Sequence, residues 1–281
     1  MVSNRTGIFD AFAVYRANRP AVLGLLLVII VGFLAAAAPR LTPYHPLRGA
    51  GPALRPPHSD HPFGTDDLGR DILSQVLYGT RVSLMVGISS AAIALSIGVA
   101  VGAFAGFFGG LIDDSLMRVT ELFQVIPRIF LSILLVALFG QTLAITTIAI
   151  GILSWPAVAR IVRAEFLSRR EADYVTAARS MGASAWELIF REILPNALAP
   201  VIVTASLLVS SAILLEAALA FIGLSDPNQI SLGRMMQDAL PFMRDAWWMS
   251  IFPGVVLSLS VLGFNLVGDG LSDVLNPRLN R

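Results

Sequence analysis

Glu165–Pro195 reads EFLSRREADYVTAARSMGASAWELIFREILP and is the longest polar interval between apolar runs of the chain. Tyr174, Ala177, Ala178 and Met181 recur at i, i+3, i+4 and i+7, which places them on one small, smooth face of a helix. Gly182 follows, where a helix end favours a residue tolerant of positive φ. Ser184 with Glu187 three residues later is a capping-box pair that restarts a helix. Trp186, Ile189, Phe190, Ile193 and Leu194 form a second apolar face. Pro195 is expected to end or bend that helix, because proline has no amide hydrogen to donate. The spacing predicts two short helices joined at a glycine, held at a membrane surface by the apolar runs on either side.

The surrounding composition is that of a polytopic membrane protein. Of 281 residues, 56% are hydrophobic and 14% charged, too few charges to cover a soluble domain of that size. Cysteine is absent, which excludes disulfides and thiolate metal sites. Every basic residue is an arginine; without lysine the chain has no Schiff-base residue and no P-loop lysine for ATP. The net charge of +1 carries no information about partners.

Six apolar spans are expected, at about 21–38, 84–108, 119–139, 143–161, 198–223 and 249–267. Arg5, Arg16 and Arg19 precede the first and place the N-terminal residues 1–20 in the cytoplasm by the positive-inside rule. Ala35–Ala38 is small enough for a signal peptidase. The long polar lead, the length of the run and Pro39 favour an uncleaved span. Residues 39–80 are proline-rich and expected outside the membrane as a solvated loop. His45, His58 and His61 all fall there, without the carboxylate or thiol framework of a metal site. In the second span Gly98, Gly102 and Gly106 recur every fourth residue, a strip that lets another helix approach closely in lipid.

A short turn is expected at Gly109–Asp114. Glu121, Pro127 and Arg128 lie in the first half of the third span; charges there must face protein or water if buried, and the first turns with Glu121 are expected to project into the cytoplasm. Pro156 is expected to bend the fourth span. Parity and the arginines at 160, 163, 169, 170, 179 and 191 both place 164–197 in the cytoplasm. Glu216 lies deep in the fifth span, a candidate for the transport pathway or for a hydrogen bond to a partner helix. Ser231–Leu240 looks like a short amphipathic helix, and Trp247-Trp248 like an interfacial belt. Residues 271–281 return to the cytoplasm.

Ala177-Ala178, Gly182 and Ile193-Leu194-Pro195 resemble the "EAA" coupling loop of ABC-transporter importer permeases, with Thr176 in place of the usual glutamate and Glu192 in place of an apolar residue. His61–Leu73, continuing as Tyr78–Leu84, resembles the segment that opens the transmembrane domain of dipeptide, oligopeptide and nickel importer permeases. Leu214–Leu224, Phe264–Leu271, Asp273 and Asn276-Pro277-Arg278 extend that resemblance over most of residues 61–281.

The resemblance implies an all-α, six-span permease of type I ABC importer fold in a bacterial plasma (inner) membrane, with the importer domain at 81–270 and both ends cytoplasmic. It implies a coupling role for Glu171, Tyr174, Thr176, Ala177, Ala178, Met181, Gly182, Ile193, Leu194 and Pro195, and a pathway or interface role for Glu216 and Asn265. The implied partners are a second similar permease, two cytoplasmic ATPase subunits that hold ATP and magnesium, an extracytoplasmic substrate-binding protein and the lipid bilayer, with no nucleic acid. The chain itself then holds no cofactor and is no catalyst. Short peptides are the expected cargo; nickel chelates, haem and other small solutes use similar machinery. An ion-coupled secondary transporter is the contrasting class, disfavoured because no internal repeat is found and only Glu216 is ionisable deep in a span. A membrane-embedded enzyme lacks a His/Asp/Glu constellation within any span.

Overall fold

The computed structural model describes Tyr15, Arg16 and residues 18–275. Arg5 and Asn276-Pro277-Arg278 lie outside the described residues. The described part is built from helices: α1 (Arg19–Leu41), α2 (Ile72–Phe108), α3 (Gly110–Val125), α4 (Arg128–Phe139), α5 (Leu143–Arg169), α6 (Asp173–Ser180), α7 (Ala185–Phe221), α8 (Leu232–Ala239) and α9 (Trp248–Leu275). Five of these are long and apolar enough to cross a membrane; α3 and α4, bent by 82° at their junction, reach that length and apolarity only when taken together.

α1 starts under an Asn18 cap that accepts the Ala21 amide, and runs through Pro39 to Leu41 rather than stopping at Ala38. It lies antiparallel on α9. A Cβ on Gly24 would stand 2.5 Å from Leu266 Cβ, and Asn18 Nδ2 donates to Asp273 Oδ2 at 2.7 Å. The two ends of the described chain therefore lie on the same side of the bundle.

α2 is longer than expected. Asp71 accepts the Ser74 amide and starts the helix about a dozen residues before Leu84. Ser74, Gln75, Thr80 and Ser83 lower the hydropathy of these first turns, yet all are buried and hydrogen-bonded inside the protein. Residues 72–83 are thus helix, and the irregular segment ends at about Asp71.

The expected third span departs most. Only Gly109, at φ +67°, separates α2 from α3, so the anticipated turn over 109–114 is mostly helix. α3 then stops at Val125 and α4 leaves at 82° to it. Pro127 is the cause: it cannot donate to a continuing helix, and it pushes Ile126 into an extended conformation (φ −99°, ψ 131°).

α5 passes Pro156 without interruption and continues to Arg169, beyond the expected end at Ile161. α7 likewise begins at Ala185, far ahead of Leu198, so the second helix of the polar interval and the fifth span are one element. A π-helical turn over Leu188–Ile193 lets the chain absorb Pro195. Leu194 donates to Ile189, five residues back, and the helix continues where it was expected to end.

Residues 42–60 are mostly exposed, as a solvated loop would be, whereas His61 and much of 63–71 are buried and hydrogen-bonded. His61 is buried, with Nδ1 2.8 Å from Asp71 Oδ1. Asp66 takes the Arg70 guanidinium and the Gln75 amide at 2.7 Å. Trp248 is buried against this segment and is no interfacial residue; Trp247 beside it is exposed.

Candidate coupling corner and intramembrane polar sites

The interval 170–190 forms a corner that projects from the bundle. α6 ends at Met181, and Gly182 turns the chain at φ +90°, a conformation glycine adopts without strain. Ser184 then accepts the Glu187 amide at 3.3 Å, while Glu187 Oε2 accepts the Ser184 amide at 2.9 Å. Those bonds, backbone first, hold the Glu187 carboxyl below its ordinary value, with Arg191 adding to the effect. The corner is therefore built from a helix end closed at a glycine and a capping box that starts the next helix.

Its residues divide into an anchor and a tip. Val175 and Ala178 are buried with Leu188, Ile189 and Ile193 in the main apolar core, and fix α6 against α7. Tyr174, Thr176, Ala177, Met181 and Gly182 are exposed, and a Cβ on Gly182 would meet no atom within 4 Å. Met181 is 83% and Trp186 60% exposed, so large apolar groups stand in the open at the tip. Trp186 stacks on Phe190 with centroids 4.8 Å apart and leans on Phe104 of α2. Glu171 is exposed and near Arg170; Leu194 is half-buried and Pro195 exposed. Ala178 thus does not share the open face with Ala177, and Ile193 faces inward. Val175, absent from the expected face, is the residue that seats the helix. An eight-residue helix of mostly small residues gives its phase only a weak sequence signal.

The glycine strip faces α5. A Cβ on Gly98 would stand 2.5 Å from Val158 Cβ, one on Gly102 2.7 Å from Val162 Cβ, and one on Gly106 2.5 Å from Phe166 Cβ. Asp113 of α3 locks the same helix as well, taking both the Nε and, at 2.6 Å, the Nη2 of Arg163. That bidentate pair adds direction to the contact between α3 and α5.

Glu216 is buried, and both of its hydroxyl partners belong to this chain. Ser83 Oγ on α2 donates to Oε2 at 3.0 Å, and Ser231, the cap residue of α8, donates as well. Ser83 in turn receives the Leu232 amide at 3.4 Å. The carboxylate ties three elements, α2, α7 and the start of α8, and its partner helices are internal. Asn265 is half-buried on α9. At the far end of α8, burial pushes the Asp238 carboxyl up, against the pull of Arg234 and Arg70. No group of three His, Cys, Asp or Glu suited to a metal occurs among the described residues.

The family model for binding-protein-dependent transport system inner membrane components matches residues 98–281. The dipeptide transport system permease protein DppC of Haemophilus influenzae is 36% identical, over 99% of this chain and 97% of that protein. The oligopeptide permease OppC of Bacillus subtilis is 37% identical over 97% of this chain and 90% of its own length. The di/tripeptide permease DppC of Pseudomonas aeruginosa is 41% identical over 93% of this chain and 89% of its own. Among solved structures, a chain of the inward-facing MetNI methionine ABC transporter superposes with TM-score 0.59 at 20% identity, covering 73% of this chain and 98% of that one. That likeness concerns the fold, which is the type I importer fold, and the apolar helices make the chain a multi-pass membrane protein. This chain belongs to the family of binding-protein-dependent transport system inner membrane components and, within it, stands with the dipeptide and oligopeptide permeases.

Proposed function

We propose that this chain is one half of the membrane pathway of an ATP-driven importer of short peptides. A second permease of similar fold would supply the other half, and an extracytoplasmic binding protein would deliver the peptide. Two ATPase subunits, carrying ATP and magnesium, would grip the corner at Gly182 and its counterpart. The chain itself would be a transport component and no catalyst. The reading is supported by family membership together with one observation: the corner beside the Ser184–Glu187 capping box leaves Met181, Trp186 and Tyr174 exposed among the described residues. Large apolar side chains held open on a fixed corner suit a docking surface.

Energy would enter as a shift between arrangements of the permease pair, transmitted through the corner into α7. Because α7 runs unbroken from Ala185 to Phe221, a movement at the corner reaches Glu216 and the start of α8 through one element. The bacterial inner membrane, with both chain ends cytoplasmic, is the matching location. Reporter fusions at Pro57 and Asn228 are then outside and a fusion at Arg170 inside. The cargo is tested by uptake of labelled dipeptides into a deletion strain carrying this chain or an empty vector. Uptake that depends on this chain supports the reading, and equal uptake with and without it contradicts it.

A further inference from the structure

We propose that Arg128 is a pathway residue that binds the carboxylate of a passing peptide; this rests on the peptide-importer reading above. Arg128 opens α4 immediately after the 82° break at Pro127. Its Nη1 donates to Ser154 Oγ of α5 at 3.3 Å and its Nη2 to Ser211 Oγ of α7 at 3.4 Å. Both bonds are long and both acceptors are neutral. No carboxylate pairs with Arg128 among the described residues, although Arg163 and Arg70 each have one.

Depth makes this unusual. At about 1.5 Å per residue, Ser154 lies roughly 16 Å along α5 from Leu143, and Ser211 roughly 15 Å along α7 from Phe221. The two serines that hold it therefore place the guanidinium near the middle of a hydrocarbon layer about 30 Å thick. From there the side chain is too short to reach either headgroup layer. It is nonetheless exposed on this chain. An exposed arginine at that depth faces water or another protein rather than lipid. The helix break at Ile126-Pro127 leaves backbone groups open at the same level, which is tolerated only beside water or protein. A guanidinium has five N–H donors, and the two serines occupy only part of the set. The remainder suit a planar carboxylate, which every unmodified linear peptide carries at one end.

The test uses the complete transporter, with all its partner chains, reconstituted in vesicles. Uptake of a labelled dipeptide is compared with uptake of the same dipeptide as its C-terminal amide, in wild type, Arg128→Gln and Arg128→Lys. Dividing each mutant's acid-to-amide ratio by that of wild type cancels the binding protein's own preference. Arg128→Gln is expected to lower this quotient about tenfold, the loss of one charge-assisted hydrogen bond to substrate, while Arg128→Lys retains most of it. An unchanged quotient overturns the proposal, whether both uptakes are normal or both fall together. So does failure of Arg128→Gln to assemble with rescue by Arg128→Lys, which assigns the arginine to a carboxylate of the second permease. Absence of peptide uptake by the wild type would instead contradict the importer reading.

Discussion

Trp248, at the start of α9, donates its indole N–H to the carbonyl of Thr65 at 3.0 Å, joining residues 183 positions apart in a buried contact. The same indole lies against Gly64, where a Cβ would stand 2.8 Å from Trp248 Cδ1 and where the backbone has φ +79°. The bond fastens the irregular segment 42–71 to the last span.

Trp248→Phe keeps most of the ring but leaves the Thr65 carbonyl unpaired. A buried acceptor without a donor costs about 1–3 kcal/mol. Amide exchange should accelerate across 42–71 and stay unchanged in α5. Unaltered exchange in 42–71 would show that the bond does not hold the segment.

Gly102 and Gly32 make a matched pair. A Cβ on Gly102 collides with Val162, whereas one on Gly32 meets nothing within 4 Å. Gly102→Leu should therefore lower the thermal midpoint of the purified chain in detergent, by the effect of roughly 1–3 kcal/mol typical of overpacking, or prevent folding. Gly32→Leu should leave the midpoint unchanged. Equal effects would mean that the α2–α5 contact is less close than described.

Glu216 should behave as an internal tie. Glu216→Gln keeps an acceptor for Ser83 and should be mild. Glu216→Ala should destabilise the chain by about 1–3 kcal/mol, because Ser83 and Ser231 lose a buried acceptor. The readouts are the thermal midpoint and exchange at α8. Normal stability with abolished uptake in both variants would instead place Glu216 in the pathway.

Asp238 sets a pH dependence. Burial raises its folded pKa above the unfolded value, outweighing Arg234 and Arg70. A carboxyl shifted upward contributes stability that is fully present below the unfolded pKa and is lost as pH rises through the folded one. Asp238→Asn cannot titrate, so it should be more stable than wild type at neutral pH, with the difference closing toward about pH 4. A variant less stable at neutral pH would mean that the pairing with Arg234 and Arg70 prevails.

The spans were legible in the sequence because hydropathy alone reports them, and the corner because Gly182, Ser184 and Glu187 carry local backbone rules. The break at Pro127 was not, since the apolar runs on its two sides look alike and proline also occurs inside unbroken spans, as Pro156 does in α5. The first turns of α2 were hidden by Ser74, Gln75 and Thr80, whose polarity is satisfied by internal partners that only the fold reveals. His61 and Trp248 run against expectation for one reason: the irregular segment that buries both has no periodicity to read. Arg128 was visible as a charge, but its depth follows from the two serines that hold it.

The central claim is that the corner at Gly182 couples this chain to its ATPase subunits. At φ +90° any side chain is strained, by about 1–2 kcal/mol, and a β-branched one most. Since a Cβ there would meet no atom within 4 Å, Gly182→Val should leave insertion and pairing with the second permease intact. Ala177→Glu, on the open face, should act alike, and Gly182→Ala should be milder. The most direct measurement is recovery of the ATPase subunits with tagged permease, alongside peptide uptake. We predict that Gly182→Val loses most of both while retaining the second permease. Wild-type ATPase recovery and wild-type uptake in Gly182→Val would contradict the account.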